Sequence, residues 1–468
     1  MAWLVSILAW QGPWVLTWVA GGTVVIATSL ILFRRKPYES HHRGVLLLSG
    51  GLGARWRLRV ARPGALTVAG ITIPALDETK HFKFIGTTGT GKSTAIRELL
   101  AGAIERGDRA LIADPDGGYM QRFFDRRRGD IILNPFERNA VKWDLFAEIH
   151  NIYDVEQLAS GLIPESHDAA ASEWRSYART FLTAVIRRCH LEGRRDSAEL
   201  WRLLVVASHE ELRPLVAGTP AQPFLDLENA RMFGSIRSVM GSAVAALEYI
   251  QAQRAPGFSV RAWVRASSSS GLLFIPYKAG QIAALRSMIA TWLKLAIFEA
   301  MSTAENRDQH LWLVVDELDA LGPIDGLKDA LARLRKFGGR VVLGFQSIAQ
   351  VSDTYGAGEA QTIVENCGNT LILRCSGSEN GGTSQFASRL IGDREIIRRQ
   401  ISRGRDGESG FSVHGRRRST NITTAHVTEA AVMPSEIEKL PDLAGFLKLA
   451  SSPAWRRVAL SPIANVKY

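Results

Sequence analysis

The run Gly86-Thr87-Thr88-Gly89-Thr90-Gly91-Lys92-Ser93-Thr94 meets the phosphate-binding spacing G-x-x-x-x-G-K-[ST] at every fixed position. Glycines at 86, 89 and 91 let the backbone curl so that successive N–H groups face phosphate oxygens, and a following helix adds its positive dipole end. In such a loop Lys92 reaches the β- and γ-phosphates, and the Ser93 hydroxyl ligates Mg²⁺. The motif has meaning only between a strand and a helix. Phe82-Lys83-Phe84-Ile85 leads in as a short β-prone run. Beyond the loop, Ile96, Leu99, Leu100, Ala103 and Ile104 recur at helical spacing, with Gly107 as a stop. A bound nucleoside triphosphate is expected here.

A second set of reactive groups follows the apolar run Leu311-Trp312-Leu313-Val314-Val315, which ends in Asp316-Glu317. Asp316 has the position to hold the Mg²⁺ shell, and Glu317 to orient or deprotonate the attacking water. Acids ending a strand are a weak sign alone and a strong one beside a phosphate loop. Arg335 closes a helix and Gln346 closes the strand Val341–Phe345. Spacing leaves each with two readings: an arginine finger or a solvated basic helix end, and a γ-phosphate sensor or a sheet-end cap.

The elements that must position these groups alternate. Arg109–Ala113 reads as a buried strand ending in the polar turn Asp114-Pro115-Asp116-Gly117-Gly118, and Asp130–Asn134 as another, closed by Pro135. This pattern predicts a parallel α/β sheet with ligand at the carboxyl strand ends. From about Tyr153 to Ile250 the chain is helical in character, with helices through Trp174–Arg179, from near Ser197, and from about Glu228 to Ile250. It reads as an inserted all-α domain. Sheet character resumes at Gly271–Pro276, a helix follows over about 280–301, and Asn369–Cys375 is a further strand. Leu66–Ile73 reads as a strand ended by Pro74.

The chain has 468 residues, 46% hydrophobic and 22% charged, with a formal net charge of +11 that suits a polyanionic partner or an acidic membrane surface. Cys189, Cys367 and Cys375 form no C-x-x-C pair, so neither a zinc site nor a disulfide framework is indicated, and a reducing cytoplasm is expected. Trp14 to Phe33 carries no charge and is followed by Arg34-Arg35-Lys36, while Trp10, Trp14 and Trp18 cluster at its other end. These features predict one membrane helix with everything after it, the bulk of the chain, cytoplasmic. No basic residue precedes the run, which disfavours a signal peptide. His41 and His42 read as a solvated face rather than a metal pair. The segment Arg398–Arg418 carries arginines at 398, 399, 403, 405, 416, 417 and 418, with Phe411 and His414 between them. It suits a loop tracking a phosphate backbone or a surface hairpin, with nothing to choose between them.

An ordered set of stretches goes beyond the phosphate loop. These are His81–Thr94, Ala113–Gly118, Asn134-Pro135-Phe136, Trp143-Asp144-Leu145-Phe146, Val314–Leu321, Leu334–Gln346 and Pro434–Leu447. Together they resemble the type IV coupling proteins of bacterial conjugation, the TraD/TrwB group, relatives of the FtsK and HerA DNA pumps. The resemblance implies a homo-hexameric ATPase on the bacterial inner membrane, using ATP and Mg²⁺. Such a protein receives relaxase-bound single-stranded DNA from the relaxosome and feeds it to a type IV secretion channel. It matches Lys92, Asp316, Glu317, Arg335 and Gln346 to catalytic positions and Ser93 and Asp316 to the metal. The all-α domain would face the cytoplasm and meet the DNA-processing complex. The family usually has two membrane helices, where one is legible here.

The expected fold class is α/β, a RecA-like P-loop NTPase sheet domain with an inserted all-α domain and one N-terminal transmembrane helix. The expected divisions are 1–36 as membrane anchor, 37–80 as membrane-proximal linker and strand, 81–150 and 263–468 as the two parts of the nucleotide-binding domain, and 151–262 as the all-α domain. Rival functions remain: a coupler that delivers protein substrates, a receptor that binds nucleotide without hydrolysing it, and, as a near neighbour, a double-stranded DNA pump like FtsK.

Overall fold

The computed structural model describes residues 39–48, 64–166, 168–266, 271–302, 304–306, 309–379, 381–405 and 418–461. The expected membrane helix at 14–33 lies outside the described residues. Among those described, no helix is long and apolar enough to cross a membrane. The chain divides into two compact units, Met1–Val45 with Gly392–Ala430, and Leu46–Ile391 with Ala431–Tyr468.

The two main sheets use, in chain order, β1 (Glu39–Gly44), β2 (Leu46–Leu48), β3 (Phe82–Ile85), β4 (Arg109–Pro115), β5 (Ile131–Ile132), β6 (Leu273–Tyr277), β7 (Leu311–Val315), β8 (Gly339–Phe345), β9 (Asn369–Ile372), β10 (Asp393–Arg405), β11 (Arg418–Ala430), β12 (Ala444–Lys448) and β13 (Ala454–Ala459). The larger unit holds a ten-stranded sheet in the order β2-β13-β12-β9-β3-β8-β7-β4-β6-β5. From β9 to β5 all pairs are parallel, whereas β9–β12 and β12–β13 are antiparallel, so the sheet is mixed. Strands β3, β7 and β8 are buried at every position. That is why β7 and residues 341–345 of β8 read as continuous apolar runs rather than alternating ones. The parallel arrangement brings the carboxyl ends of β3, β8, β7 and β4 to one edge.

Lys83 breaks the apolar rule inside β3. Its ammonium donates to the carbonyls of Val364 (2.9 Å) and Cys367, the last groups of the helix Ala357–Asn366. A buried amine is tolerated because it satisfies carbonyls that the helix end leaves open.

Helix α1 (Lys92–Glu105) leaves the phosphate loop and buries Ile96, Leu99, Leu100 and Ala103 in the core beneath the sheet. Between β5 and β6 come α2 (Ile152–Leu162), α3 (Ala169–Leu191), α4 (Ser197–Val205), α5 (His209–Val216), α6 (Ala230–Ala243) and α7 (Ala245–Ala252). Asn151 with Asp154, Asp168, Asp196 and Ser208 cap the first four of these. The single helix expected over 228–250 is two, divided at Val244. Helix α8 (Ile282–Ser302) returns the chain to the sheet.

Other expectations need correction. Residues 66–73 form a small hairpin, Thr67–Val68 against Ile71–Thr72, because Ala69 and Gly70 take positive φ (54° and 68°). Glu98 on α1 accepts both of that turn's N–H groups at 2.8 Å. Strand β9 stops at Ile372, short of Cys375. The arms of the arginine-rich segment are a hairpin, since β10 and β11 pair antiparallel from Asp393–Ala430 to Arg405–Arg418, and residues 406–417 lie outside the described residues. The smaller unit is this ribbon with β1 added to β10.

Two of the signature stretches do structural work. Trp143 is fully buried and its indole donates to Glu148, which also accepts from Ser259 Oγ and the N–H groups of Val260 and Arg261. Asn134 is buried and donates to the Pro276 carbonyl at 2.6 Å, tying β5 to β6.

Candidate nucleotide site

The loop between β3 and α1 is shaped by the far end of the chain. The Thr87 amide donates to the Arg374 carbonyl (2.9 Å), the Thr90 hydroxyl to Thr87 O (2.7 Å), and the Leu443 amide to Thr90 O (2.9 Å). Gly91 has φ +116°, and a Cβ there would lie 2.9 Å from Leu443 Cδ2 and 3.0 Å from Leu460 Cδ1. Only glycine suits that position. Lys92 Nζ donates to the loop's own carbonyls, Gly86 O (2.6 Å) and Thr87 O (3.2 Å).

Facing the loop, Asp316 is buried at the end of β7. Its Oδ2 accepts from Ser93 Oγ and from Tyr119 OH, both at 2.6 Å. Its Oδ1 is buried without a hydrogen-bond partner among the described residues. A carboxylate with one idle buried oxygen beside a hydroxyl fits an Mg²⁺ shell held by Ser93 and Asp316. Gly344 on β8 makes room for it, because a Cβ there would sit 2.7 Å from Asp316 Oδ1.

Glu317 has φ +132°, a strained conformation for a residue with a side chain, and its amide donates to Gly344 O at 3.2 Å. Gln346 bridges the two halves of the site. Its amide nitrogen donates to Glu317 Oε1 (3.3 Å), and its oxygen accepts from Thr88 Oγ1 (2.8 Å). Burial raises the pKa of Asp316 and of Glu317, the latter helped by the neighbouring charges of Asp316 and Asp319. Burial pushes the Lys92 ammonium down, against the opposing pull of Asp316 and Glu317. Asp114 is pushed up to about 6 by burial. Its carboxylate accepts the amides of Tyr119 and Met120, and so sets the position from which Tyr119 reaches Asp316. A cavity of about 190 Å³ adjoins Glu317, lined also by Asp116, Tyr277 and Ile282.

Lys92, Ser93, Asp316, Glu317 and Gln346 are thus brought together with residues 86–94. Arg335 is not. It is exposed on the short 3₁₀ helix Leu334–Phe337, which precedes β8, whereas the phosphate loop lies at the strands' carboxyl ends. The length of β8, roughly 20 Å at about 3.3 Å per residue, separates them within one chain. Tyr119, Asp114 and Gly344 escaped the sequence reading as site residues. The turn at Asp114–Gly118 was legible, but no spacing rule points from it to Asp316.

Residues 65–461 match the type IV secretion-system coupling protein DNA-binding domain family. The chain belongs to the TraD/TrwB family of type IV coupling proteins. This coupling protein is 29% identical over 403 residues to the coupling protein TraD of Escherichia coli K12, covering 85% of the chain and 54% of TraD. It therefore spans about half the length of that curated relative. Among solved structures, unbound TrwB lacking its N-terminal segment is 32% identical with a TM-score of 0.78, covering 91% of this chain and 95% of TrwB. TrwB with the ATP analogue ADPNP is 30% identical over 93% of this chain and 97% of TrwB, TM-score 0.78. TrwB with ADP and Mg²⁺ is 31% identical, TM-score 0.77, covering 91% and 95%. VirB4 of Thermoanaerobacter pseudethanolicus, 14% identical with a TM-score of 0.50 over 83% of this chain and 91% of VirB4, shares the fold.

Proposed function

We propose that this coupling protein is a membrane-anchored ATPase that passes relaxase-bound single-stranded DNA to a type IV secretion channel, working as a hexamer on the bacterial inner membrane. One observation carries the reading. Asp316 and Gln346, from separate strand ends, hydrogen-bond directly to Ser93 and Thr88 of the phosphate loop, and Glu317 joins them through Gln346. TrwB binding an ATP analogue, and ADP with Mg²⁺, supports ATP and Mg²⁺ as the ligands.

In this reading the amides of residues 86–91 bind the phosphate oxygens, and Lys92 exchanges its bonds to the Gly86 and Thr87 carbonyls for the β- and γ-phosphates. Ser93 and Asp316 hold Mg²⁺, which supplies neutralisation of the phosphate charge. Glu317 takes or orients the proton of the attacking water, helped by a raised pKa. Gln346 links the γ-phosphate side, through Thr88, to Glu317, so occupancy of the loop is felt at the base. Arg335 serves a neighbouring subunit's nucleotide. In the same reading the chain divides into residues 81–150 and 263–468 around an all-α domain at 151–262, and the helices of that domain meet the DNA-processing complex.

The test is ATP hydrolysis by full-length protein in detergent, with and without single-stranded DNA, beside Lys92→Ala and Glu317→Gln. Single strands are expected to stimulate turnover. Lys92→Ala should abolish it, and Glu317→Gln should slow it by about 10²–10⁴-fold while ATP-analogue binding persists. Hydrolysis indifferent to DNA would favour a protein-delivering coupler. Unchanged turnover in Glu317→Gln would remove Glu317 from the chemistry.

A further inference from the structure

Far from the phosphate loop in sequence, the small three-stranded sheet gathers a second set of ligating groups. His42, Glu395 and His426 come from three strands, β1, β10 and β11, and one ligand atom of each lies within 4.8 Å of the others. His426 Nδ1 and Glu395 Oε1 are already 2.8 Å apart, and the rings of His42 and His426 meet edge-on at 5.2 Å.

The strand geometry explains the convergence. Ile397 pairs with His426 across β10 and β11, so Glu395, two residues along, shares that face. On β1 the register shifts between His41 and Arg43, which pair with Ile396 and Glu395, leaving His42 as the extra residue of a bulge. A bulge re-aims the side chain that it carries. His41 is turned elsewhere, its Nε2 3.2 Å from the Val45 carbonyl. Arg43 Nε bonds Glu395 Oε2, which fixes the carboxylate and leaves Oε1 for the histidine side. Orienting a ligand through its second atom is what outer-shell partners do at metal sites.

We propose that His42, Glu395 and His426 form a binding site for a borderline divalent cation, Zn²⁺ or its congeners. Two imidazoles and one carboxylate are a known zinc set that keeps an open fourth position. Imidazole ligands favour Zn²⁺ over the Mg²⁺ expected at Ser93 and Asp316. Zinc–ligand bonds of about 2.0–2.2 Å bring ligand atoms to roughly 3.4 Å, so closure needs a shift of about 1 Å by the two exposed rings. A bound ion ties β1 to the β10–β11 hairpin. The proposal is independent of the nucleotide chemistry.

The experiment titrates tag-free, nucleotide-free full-length protein with Zn²⁺ against a chromogenic chelator, and with Co²⁺ read by visible absorption. Stoichiometric zinc binding is expected. His42→Ala and His426→Ala should each weaken it about tenfold or more and erase the Co²⁺ band, and His41→Ala should leave both unchanged. Circular dichroism and ATP hydrolysis of all three variants report whether the fold survives. No zinc binding by the unaltered protein, binding that survives His42→Ala and His426→Ala, or an equal loss in His41→Ala would each overturn the site.

Discussion

One oxygen of Asp316 takes two hydroxyl donors, Ser93 Oγ and Tyr119 OH, while the other takes none among the described residues. A buried carboxylate is costly to ionise, and the pKa of Asp316 is accordingly raised by burial. The Tyr119 hydroxyl favours the charged form and fixes the plane of the carboxylate, which would leave Ser93 free to turn toward the proposed Mg²⁺. Tyr119→Phe removes a hydrogen bond to a charged group, which is typically worth about 1.5 kcal/mol or more. The Mg²⁺ concentration giving half-maximal ATP hydrolysis should therefore rise by roughly tenfold, with the fold unchanged. A metal titration of activity with a melting curve alongside checks this. An unaltered Mg²⁺ requirement would make Tyr119 a packing residue only. Beside Asp316, Glu317 is held at φ +132°. Such strain costs on the order of 1–3 kcal/mol and persists where surrounding structure imposes it. Here the amides of Glu317 and Leu318 both donate to Gly344 O.

Two buried polar residues, Lys83 in β3 and His81 just before it, must find partners. Lys83 is met by the end of the helix Ala357–Asn366. His81, just before β3, takes φ +57° and accepts the Val341 amide through Nδ1 at 3.1 Å, locking β3 to β8 on the side away from the loop. Burial pushes the His81 imidazole down to about 4, with Arg340 and Arg335 adding to the effect. The ordinary value is about 6.5, so between these limits the unfolded chain binds more protons than the folded one. Stability is therefore full above about pH 6.5 and falls as the pH drops toward 4, by at most about 1.4 kcal/mol per pH unit. Asparagine accepts the left-handed conformation and can still accept the Val341 amide. Between pH 7 and pH 4.5 the unaltered protein should lose about 2 kcal/mol more than His81→Asn, measured by urea unfolding. Equal losses would place the acid sensitivity elsewhere.

Arg335 and the phosphate loop lie at opposite edges of one sheet, so an arginine finger at this position can act only on another copy's nucleotide. In the proposed function, that geometry would make assembly with a second copy a condition for catalysis rather than an accessory to it. Arg335→Ala should retain ATP binding and lose hydrolysis by about 10³-fold or more. Mixing Arg335→Ala with Lys92→Ala subunits should restore part of the activity, because some interfaces then pair an intact loop with an intact arginine. Activity of such mixtures against their proportions is the measurement. No recovery at any ratio, with assembly verified by light scattering, would remove Arg335 from the neighbouring site.

Features that depend on residues adjacent in the chain were legible without coordinates. The phosphate loop is one, since its glycines, lysine and serine act through the local curl of a single turn. Apolar runs such as Leu311–Val315 are another, because burial on both faces of a parallel sheet leaves no alternation to misread. The helical character of 153–250 was equally plain, although its break at Val244 was not. Two strands near the end of the chain, β12 and β13, were passed over, because their pairing partners are remote and their own pattern is short. Folding alone decided that Ser93 and Asp316, 223 residues apart, share a hydrogen bond. It also decided that Gly344 clears space for that carboxylate, that Tyr119 completes it, and that Arg335 faces away. His42 read as solvated because its ligating neighbours, Glu395 and His426, stand on strands far along the chain. The reason is common to all of these. Local propensities encode which element forms, whereas side chains distant in sequence meet only once sheet order and strand register are fixed.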